Sequence, residues 1–258
     1  MILETSESRP AFCVGVKLLA LSLESEAPGT LLRIWNVPPA SALAEWCKDR
    51  PNVTLASLGD GFPTGWDVKA SVLLEALERG GESEAWWIDA DIVLASDPRP
   101  LLLNLRGGSA GALVATEEPR LTEQPQGSDA RVGALGLRPG RSLPRTVNSS
   151  VLGVTHAHRP LLQAWRELMA AVPFQEAQQR PFSDRPTGLA GDQDVLTGLL
   201  ASENFAEVPV RLLRSGVDIA HCMHATGFGS RHRVRALTRG LPPLVHAQGE
   251  KPWVPGHI

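Results

Sequence analysis

Two aspartates that follow a short apolar run are the sharpest chemical feature of this 258-residue sequence. Asp89 and Asp91 come directly after Trp86, Trp87 and Ile88, which predict a buried strand. Side chains two positions apart on an extended backbone point to the same side, so the two carboxylates would lie together. Close carboxylates repel each other unless a cation lies between them. The pair predicts a Mg²⁺ or Mn²⁺ site that could hold a diphosphate, although it also fits a solvated turn.

Three further segments carry side chains that commonly bind ligands. In chain order they are residues 147–153 with Asn148 and Ser149, residues 191–196 with Asp192, Gln193 and Asp194, and residues 246–253 with His246, Gly249 and Lys251. Taken singly, each segment has a simpler interpretation as a strand turn, a helix N-terminal cap or a C-terminal tail. The order of all four segments along the chain is more specific than any one of them.

That order resembles the GT-A-fold glycosyltransferases of family 8. The matching pattern is a strand ending in Asp-x-Asp, an Asn-Ser pair before an apolar strand, a Gly-Asp-Gln-Asp helix start, and His-x-x-Gly followed by Lys-Pro-Trp. The resemblance runs from about Phe12 to Trp253. It implies one Rossmann-like α/β domain over residues 1–258, with a mostly parallel central sheet, flanking helices and a small antiparallel portion. The nucleotide part would cover about 11–95, and the sugar and acceptor part about 96–258.

The resemblance also implies a role for each matching residue. The metal ligands would be Asp89, Asp91 and His246, a donor set that suits Mn²⁺ better than Mg²⁺. The donor nucleotide, ribose and phosphates would be bound by Val14, Gly15, Lys69, Asp89, Gly249 and Lys251. The donor sugar and its reacting carbon would be contacted by Asn148, Ser149, Asp192 and Gln193. An inverting reaction would also need a base, for which Asp194 is the candidate.

Strands and helices alternate in the regions that must position these residues. Strands are predicted at 11–16, 31–37, 53–58, 85–88, 146–154 and 206–213, and helices at 17–25, 40–49, 67–79, 160–171 and 192–202. Val14 and Gly15 would therefore lie at the end of the first strand. A polar, proline-bearing stretch at 117–145 predicts a long loop or a mobile flap, and the stretch 173–190 has the same character. Strands separated by helices of these lengths predict right-handed βαβ units and a parallel sheet.

The composition excludes several classes of protein. With 25 basic and 28 acidic side chains the net charge is −3, which argues against a nucleic-acid-binding protein. No apolar run approaches 18 residues, and the first ten residues lack the apolar stretch of a signal peptide. The cysteines Cys13, Cys47 and Cys222 form no disulfide framework, which is typical of a reducing cytosol. A cytoplasmic protein is expected.

A cluster near the C-terminus offers a second metal hypothesis. His221, Cys222 and His224 carry ligand types that Zn²⁺ accepts, but their spacing matches no closed zinc site. The same region is rich in arginine, with Arg231, Arg233 and Arg235 close by, and is better interpreted as a basic loop facing a phosphate or an acceptor.

The expected function is transfer of a hexose from a nucleotide-diphosphate sugar, a UDP-sugar by preference, to a hydroxyl group, with retention at the anomeric carbon. The acceptor is expected to be a soluble sugar, natural product or protein side chain, because the chain ends five residues after Trp253, without the basic, aromatic tail of membrane-associating family members. One alternative is a non-catalytic module that binds a nucleotide-sugar or a partner. Another is a haloacid-dehalogenase phosphatase, whose Gly-Asp-x-x-x-Asp motif is not matched at 191–194.

Overall fold

The computed structural model describes residues 1–59, 66–79, 83–107, 111–118, 127–222, 230–249, 251 and 253. The strands within these residues are β1 (Ile2–Ser6), β2 (Leu31–Trp35), β3 (Val53–Ala56), β4 (Glu84–Ile88), β5 (Ile92–Leu94), β6 (Leu113–Glu117), β7 (Val147–Thr155), β8 (Val210–Leu213), β9 (Ile219–His221) and β10 (Leu244–His246). The α-helices are α1 (Cys13–Glu26), α2 (Ala42–Cys47), α3 (Lys69–Arg79), α4 (Arg99–Gly107), α5 (Gly127–Ala134), α6 (Arg159–Ala170), α7 (Val172–Gln178), α8 (Asp192–Ala201) and α9 (Ser230–Arg239).

Seven strands form one large, mostly parallel sheet in the order β3-β2-β1-β4-β7-β6-β8. β3, β2, β1 and β4 run parallel to one another, and β6 runs parallel to β8. β7 is antiparallel to both of its neighbours, β4 and β6. The prediction of an α/β layered fold with a mostly parallel sheet and a small antiparallel portion is confirmed.

A second, three-stranded sheet has the order β5-β10-β9. β5 begins at Ile92, immediately after the Asp89–Asp91 turn, and pairs with β10 so that Ile92 lies opposite His246. This pairing carries a residue from near the end of the chain to the turn that follows β4. The small sheet is therefore the element that brings His246 to the two aspartates.

The large sheet separates two hydrophobic cores, as expected when helices cover both faces of a parallel sheet. On β4 the alternation is direct, because Trp87 belongs to one core while Trp86 and Ile88 belong to the other. One core is filled mainly by side chains of α3, α6 and α8. The other is filled by α1, with smaller contributions from α2 and α4. The buried strand predicted before Asp89 is thus observed.

The first strand lies elsewhere than predicted. The prediction of a strand at 11–16 is wrong, because this stretch forms a short 3-10 turn and the start of α1, while β1 occupies Ile2–Ser6. A six-residue apolar run does not distinguish a strand from the first turns of a buried helix. The real strand was concealed by Glu4, a charged residue that is only 2% exposed. Arg33 and Trp35 on β2 bind its carboxylate at 2.9 and 2.6 Å.

The two predicted loops are partly helical. α5 lies within 117–145 and α7 within 173–190, so the loop predictions are wrong at those residues. Each helix is short and depends on tertiary packing, with Val132 of α5 and Phe174 of α7 fully buried. Residues 119–126 and 60–65 lie outside the described part of the chain. The other predicted strands and helices are confirmed to within a few residues.

In the part of the chain that the structure describes, no helix combines the length and apolarity needed to cross a bilayer.

Candidate active site

Two aspartates and a histidine meet where the two sheets join. Ligand atoms of Asp89, Asp91 and His246 all lie within 4.8 Å of one another. The main chain fixes this turn at both ends, since the Asp89 N–H donates to the Ser150 carbonyl at 2.8 Å and the Asp91 carbonyl accepts from Ala247 N–H at 3.0 Å. The three residues predicted to bind a metal are therefore brought together, and among the described residues they form a group that could hold one.

The donor atoms of this group fit a divalent cation. Asp91 Oδ1 is buried and receives no hydrogen bond of good geometry from any described residue. It faces His246 Nε2 at 3.3 Å. Burial acts to raise the pKa of Asp91, but His246 and Lys251 outweigh burial, so the pKa lies below its ordinary value. An unsatisfied carboxylate oxygen beside an imidazole nitrogen is a suitable pair of ligands for Mn²⁺.

Lys251 places a positive charge beside this group. Its Nζ atom contacts Asp91 Oδ2 and the carbonyl oxygen of Ala247, and the residue is 9% exposed. Gly249, two residues before it, has a φ of +84°, a left-handed conformation that favours glycine. The bend at Gly249 turns the chain back so that the lysine returns to the aspartates.

Lys69, on α3, links the aspartates to a second group of polar residues. Its Nζ atom lies 2.9 Å from Asp89 Oδ1, 3.0 Å from Asp192 Oδ2 and 2.9 Å from Ser149 Oγ. Burial acts to lower the pKa of Lys69, but Asp192 and Asp89 raise it above its ordinary value, so the lysine stays charged. Two carboxylates at the centre of the site therefore share the single positive charge of this lysine.

Asp89 and Asp192 differ in how they are held. Asp89 accepts from Trp87 Nε1 at 2.7 Å, and its burial raises its pKa in spite of Lys69. Asp192 begins α8 and accepts from Ser149 Oγ at 2.6 Å. The negative charge of Asp192 lies where the N-terminus of a helix stabilises it.

Side-chain amides surround the buried carboxylate of Glu118. Glu118 Oε2 accepts from Asn148 Nδ2 at 2.8 Å, from Gln193 Nε2 at 3.3 Å and from Gln248 Nε2 at 3.2 Å. Asn148 Nδ2 also donates to Gln193 Oε1 at 3.0 Å. The two predicted sugar-side residues Asn148 and Gln193 are thus in direct contact, and Glu118 fixes the orientation of both amides.

Asp194 is paired with a different part of the molecule. Its Oδ1 atom accepts from Arg131 Nε of α5 at 2.8 Å, and both side chains are almost fully buried. Burial raises the pKa of Asp194, and the guanidinium of Arg131 opposes that rise. The carboxylate therefore anchors α5 against α8, and its predicted role as a base stays a prediction.

The structure moves Val14 and Gly15 from the end of a strand into α1. Val14 is 43% exposed on the helix surface. Gly15 packs against the aspartate turn, since an added Cβ would come within 2.6 Å of the Ala90 carbonyl oxygen and 3.3 Å of Trp253 Cζ2. The prediction that both residues lie at the end of the first strand is therefore wrong. Gly15 instead lets α1 approach Ala90, the residue between Asp89 and Asp91.

Sequence reasoning missed Glu118 and Gln248. Glu118 follows the buried strand β6 directly, which is the same signal that identified Asp89, but the predicted loop from 117 onward concealed it. Gln248 follows β10 and no signal in the sequence singles it out.

The zinc hypothesis for His221, Cys222 and His224 stays untested as a group, because His224 lies outside the described residues. His221 contacts His246. Arg231, Arg233 and Arg235 belong to a helix, α9, where a loop was expected.

No protein-family model matches this sequence, and neither does any curated protein. The fold is nevertheless well represented among solved structures. It matches galactosyltransferase LgtC in complex with donor and acceptor sugar analogs, at a TM-score of 0.59 and 17% identity over 100% of this chain and 91% of that one. It matches glycosyltransferase GlyE of Streptococcus pneumoniae TIGR4 at a TM-score of 0.61 and 13% identity, over 100% of this chain and 57% of that one. Mouse xyloside xylosyltransferase 1 matches at a TM-score of 0.52 and 15% identity, over 95% of this chain and 96% of that one.

The chain has the GT-A fold. Within this fold the site lies at the ends of two central strands of the large sheet, β4 and β7. Asp89 follows the carboxyl end of β4, and Asn148 and Ser149 open the antiparallel neighbour β7, whose residue Val151 lies opposite Ile88. Ligands of open α/β sheets bind in crevices at the carboxyl ends of the strands. The GT-A fold therefore places both polar groups where a ligand would enter.

Proposed function

We propose that this protein is a metal-dependent glycosyltransferase that moves a hexose from a nucleotide-diphosphate sugar, a UDP-sugar by preference, to a hydroxyl acceptor with retention of configuration. One observation carries the proposal. The candidate metal ligands Asp89, Asp91 and His246 are joined through a single buried lysine, Lys69, to a polar group fit to bind a sugar. A diphosphate and a sugar that share one bond need two such adjacent subsites.

The metal would be held by Asp89, Asp91 and His246, with Mn²⁺ preferred to Mg²⁺ because one ligand is an imidazole. When bound, it supplies electrostatic stabilisation of the charge that builds on the departing diphosphate. Lys251 adds a second positive charge on the same side, since its Nζ atom already contacts Asp91. Gly249 leaves room for the backbone to approach the phosphates.

The donor sugar would lie against Asn148, Ser149, Asp192 and Gln193. The Asp192 carboxylate, bound by Lys69 and Ser149, suits hydrogen bonds from sugar hydroxyl groups. The Gln193 amide is held by Asn148 and Glu118 and would stand beside the anomeric carbon. A neutral group there is compatible with a retaining reaction. The buried pairing of Asp194 with Arg131 also favours retention, because an inverting base would have to reach the acceptor hydroxyl.

A panel of nucleotide-sugars tests this proposal. Thermal stability and donor hydrolysis are measured with each donor, with Mn²⁺ or with a chelator, on the unaltered protein and on Asp91→Asn. One donor is expected to raise the melting temperature and to be hydrolysed only when metal is present, and Asp91→Asn should abolish both effects. No response to any donor in the presence of metal would refute the transferase proposal. Binding without turnover would favour a non-catalytic module, and phosphate release from simple phosphate esters would favour a phosphatase.

The acceptor and the location are proposed from the sequence. We expect a soluble hydroxyl acceptor, and a cytoplasmic protein because its three cysteines are all free thiols. Product analysis with candidate sugars, natural products and peptides, once the donor is known, identifies the acceptor.

A further inference from the structure

The side-chain amide of Gln248 is only half satisfied within the described part of the chain. Gln248 lies two residues after β10, on the segment that leads to Gly249. Its Oε1 atom is shielded from solvent and receives no hydrogen bond from any described residue. A buried acceptor left unpaired costs free energy, because it has lost its bonds to water and gained none in return. Such an atom is a candidate contact for a bound molecule.

The contact with Glu118 fixes which end of the Gln248 amide is the oxygen. Gln248 Nε2 lies 3.2 Å from Glu118 Oε2, the oxygen that also accepts from Asn148 Nδ2 and Gln193 Nε2. A carboxylate accepts hydrogen bonds, so the end of the amide that faces it must be the NH₂ group. The Oε1 atom of Gln248 is then the end that Glu118 does not engage, and it can only accept a hydrogen bond.

The two neighbouring amides differ from Gln248 in this respect. Gln193 Oε1 accepts from Asn148 Nδ2 at 3.0 Å, and Asn148 Oδ1 accepts from the Ser150 N–H at 2.9 Å. Both amides are therefore bonded at their nitrogen and at their oxygen. Of the three amides around Glu118, that of Gln248 alone keeps an acceptor that no described residue uses.

We infer that Gln248 is a substrate-binding residue whose Oε1 atom accepts a hydrogen bond from a hydroxyl group of a sugar substrate. The inference rests on the proposed function, which places the reacting carbon beside Gln193. Gln248 and Gln193 donate to the same carboxylate oxygen, so Gln248 lies close to that carbon as well. A sugar hydroxyl has one hydrogen to donate, which is what an unused amide oxygen requires. The donor hexose and the acceptor both carry hydroxyl groups there, and the experiment separates these two sources.

Calorimetric titration with Mn²⁺ present tests the donor hexose as the source. UDP, UDP-glucose and UDP-galactose are compared on the unaltered protein and on Gln248→Met, whose side chain has a similar length but no amide oxygen. The substitution should weaken binding of the accepted UDP-hexose by about 3–10-fold, because one hydrogen bond to the sugar is lost. Binding of UDP, which lacks the sugar, should not change.

Deoxy sugars separate a direct contact from a disturbance of the bonds around Glu118. The deoxy form that lacks the hydroxyl bound by Gln248 should bind equally well to the unaltered protein and to Gln248→Met, whereas the other deoxy forms should keep the difference. Gln248→Lys retains an N–H donor for Glu118 but has no acceptor, and should show the same pattern. An equal loss for every deoxy form would mean that Gln248 only supports Glu118, and would overturn the inference.

An acceptor hydroxyl would give a different result. With the UDP-hexose saturating, transfer to glucose, galactose and lactose is measured against hydrolysis of the donor by water. A lower kcat/KM for the accepted sugar at unchanged donor affinity, with the difference absent for one of its deoxy forms, assigns the contact to the acceptor. If none of these sugars is accepted, the donor titrations alone decide. Unchanged donor binding and unchanged transfer in Gln248→Met would overturn the inference.

Asn52→Leu is the control for loss of a half-buried amide. Asn52 precedes β3 at the amino end of the parallel strands, where its Nδ2 atom donates to the Ala20 carbonyl oxygen at 3.3 Å and its Oδ1 atom has no partner among the described residues. Its replacement should leave UDP-hexose binding unchanged, and melting temperatures identify any variant that fails to fold. If the unaltered protein binds no nucleotide-sugar, the proposed function fails and the inference with it. If it binds one and Gln248→Met matches it throughout, the inference alone fails.

Discussion

The site consists of two groups that are built in different ways. The metal-side group comprises Asp89, Asp91, His246 and Lys251, and the sugar-side group comprises Glu118, Asn148, Ser149, Asp192 and Gln193. The metal-side group combines charged residues from one strand end, one strand of the small sheet and the C-terminal segment. Its Asp91 Oδ1 atom is left without a good hydrogen bond. In the sugar-side group the amides and Glu118 already bind one another.

The difference shows what each group can do before a ligand arrives. Satisfied side-chain networks are rigid, so the sugar-side group is preorganised. An unsatisfied buried carboxylate oxygen is costly, and a bound cation would relieve that cost. Lys69 belongs to both groups, since it contacts Asp89 as well as Asp192. Five substitutions, besides their controls, test this comparison, beginning with the lysine.

Loss of Lys69 should have the largest effect, because it damages both groups at once. Lys69→Met would leave Asp89 and Asp192 buried without their counter-charge, and should lower the free energy of unfolding by about 3–5 kcal/mol. Urea denaturation measures this loss. The matched control is Lys48→Met, since Lys48 and Glu45 form an ion pair that is 67% and 73% exposed, and should cost less than about 1 kcal/mol. Similar losses for both lysines would mean that Lys69 does not hold the groups together.

Two isosteric changes should separate the groups. Asp91→Asn should weaken Mn²⁺ binding by more than about 100-fold, because it removes a ligand rather than an outer-shell partner. Asp192→Asn should change Mn²⁺ affinity far less, yet lower turnover by about 10²–10³-fold once the donor is known. Titration of Mn²⁺ and steady-state kinetics with both variants provide the comparison. A large loss of Mn²⁺ affinity in Asp192→Asn would show that the two groups are not independent.

Gly15 tests the packing behind the metal-side group alone. Gly15→Ala would press a methyl group on the Ala90 carbonyl, which is backbone and cannot rotate away, and should cost about 1–3 kcal/mol. Gly133→Ala in α5 meets nothing within 4 Å and should be neutral or stabilise by up to about 1 kcal/mol. Thermal denaturation measures both changes. Stabilisation by Gly15→Ala would refute the close approach of α1 to Ala90.

The smallest effect should come from His158, which lies outside both groups. Burial lowers the pKa of His158, although hydrogen bonds with the backbone oppose this. Below about pH 6.5 the unfolded chain therefore binds a proton that the folded chain does not, and stability should fall as the pH decreases. His158→Asn keeps an acceptor for Thr155 N–H but cannot titrate. Urea denaturation between pH 8 and pH 5 should give a shallower pH dependence for this variant, and an identical dependence would refute the assignment.

Part of the fold could be predicted because the residues that indicate it are close together in the sequence. Strands such as β2 and β4 and helices such as α6 and α8 were predicted from apolar patterns and flanking turn residues within their own segments. The first strand could not be predicted, because the buried carboxylate of Glu4 is bound by Arg33 and Trp35, which lie 29 and 31 residues further along the chain. A charge that is neutralised by a distant partner looks like a surface residue in the sequence.

The sequence by itself determined which chemical groups are available: two aspartates after a buried strand, an amide and hydroxyls before another, and a histidine and lysine near the end. Tertiary structure alone decided how they combine. It placed His246 beside Asp91 through the β5–β10 pairing, joined the two groups through Lys69, recruited Glu118, and turned Asp194 toward Arg131. The physical reason is that a hydrogen bond or ion pair depends on distance in space, which strand register sets and residue spacing along the chain does not.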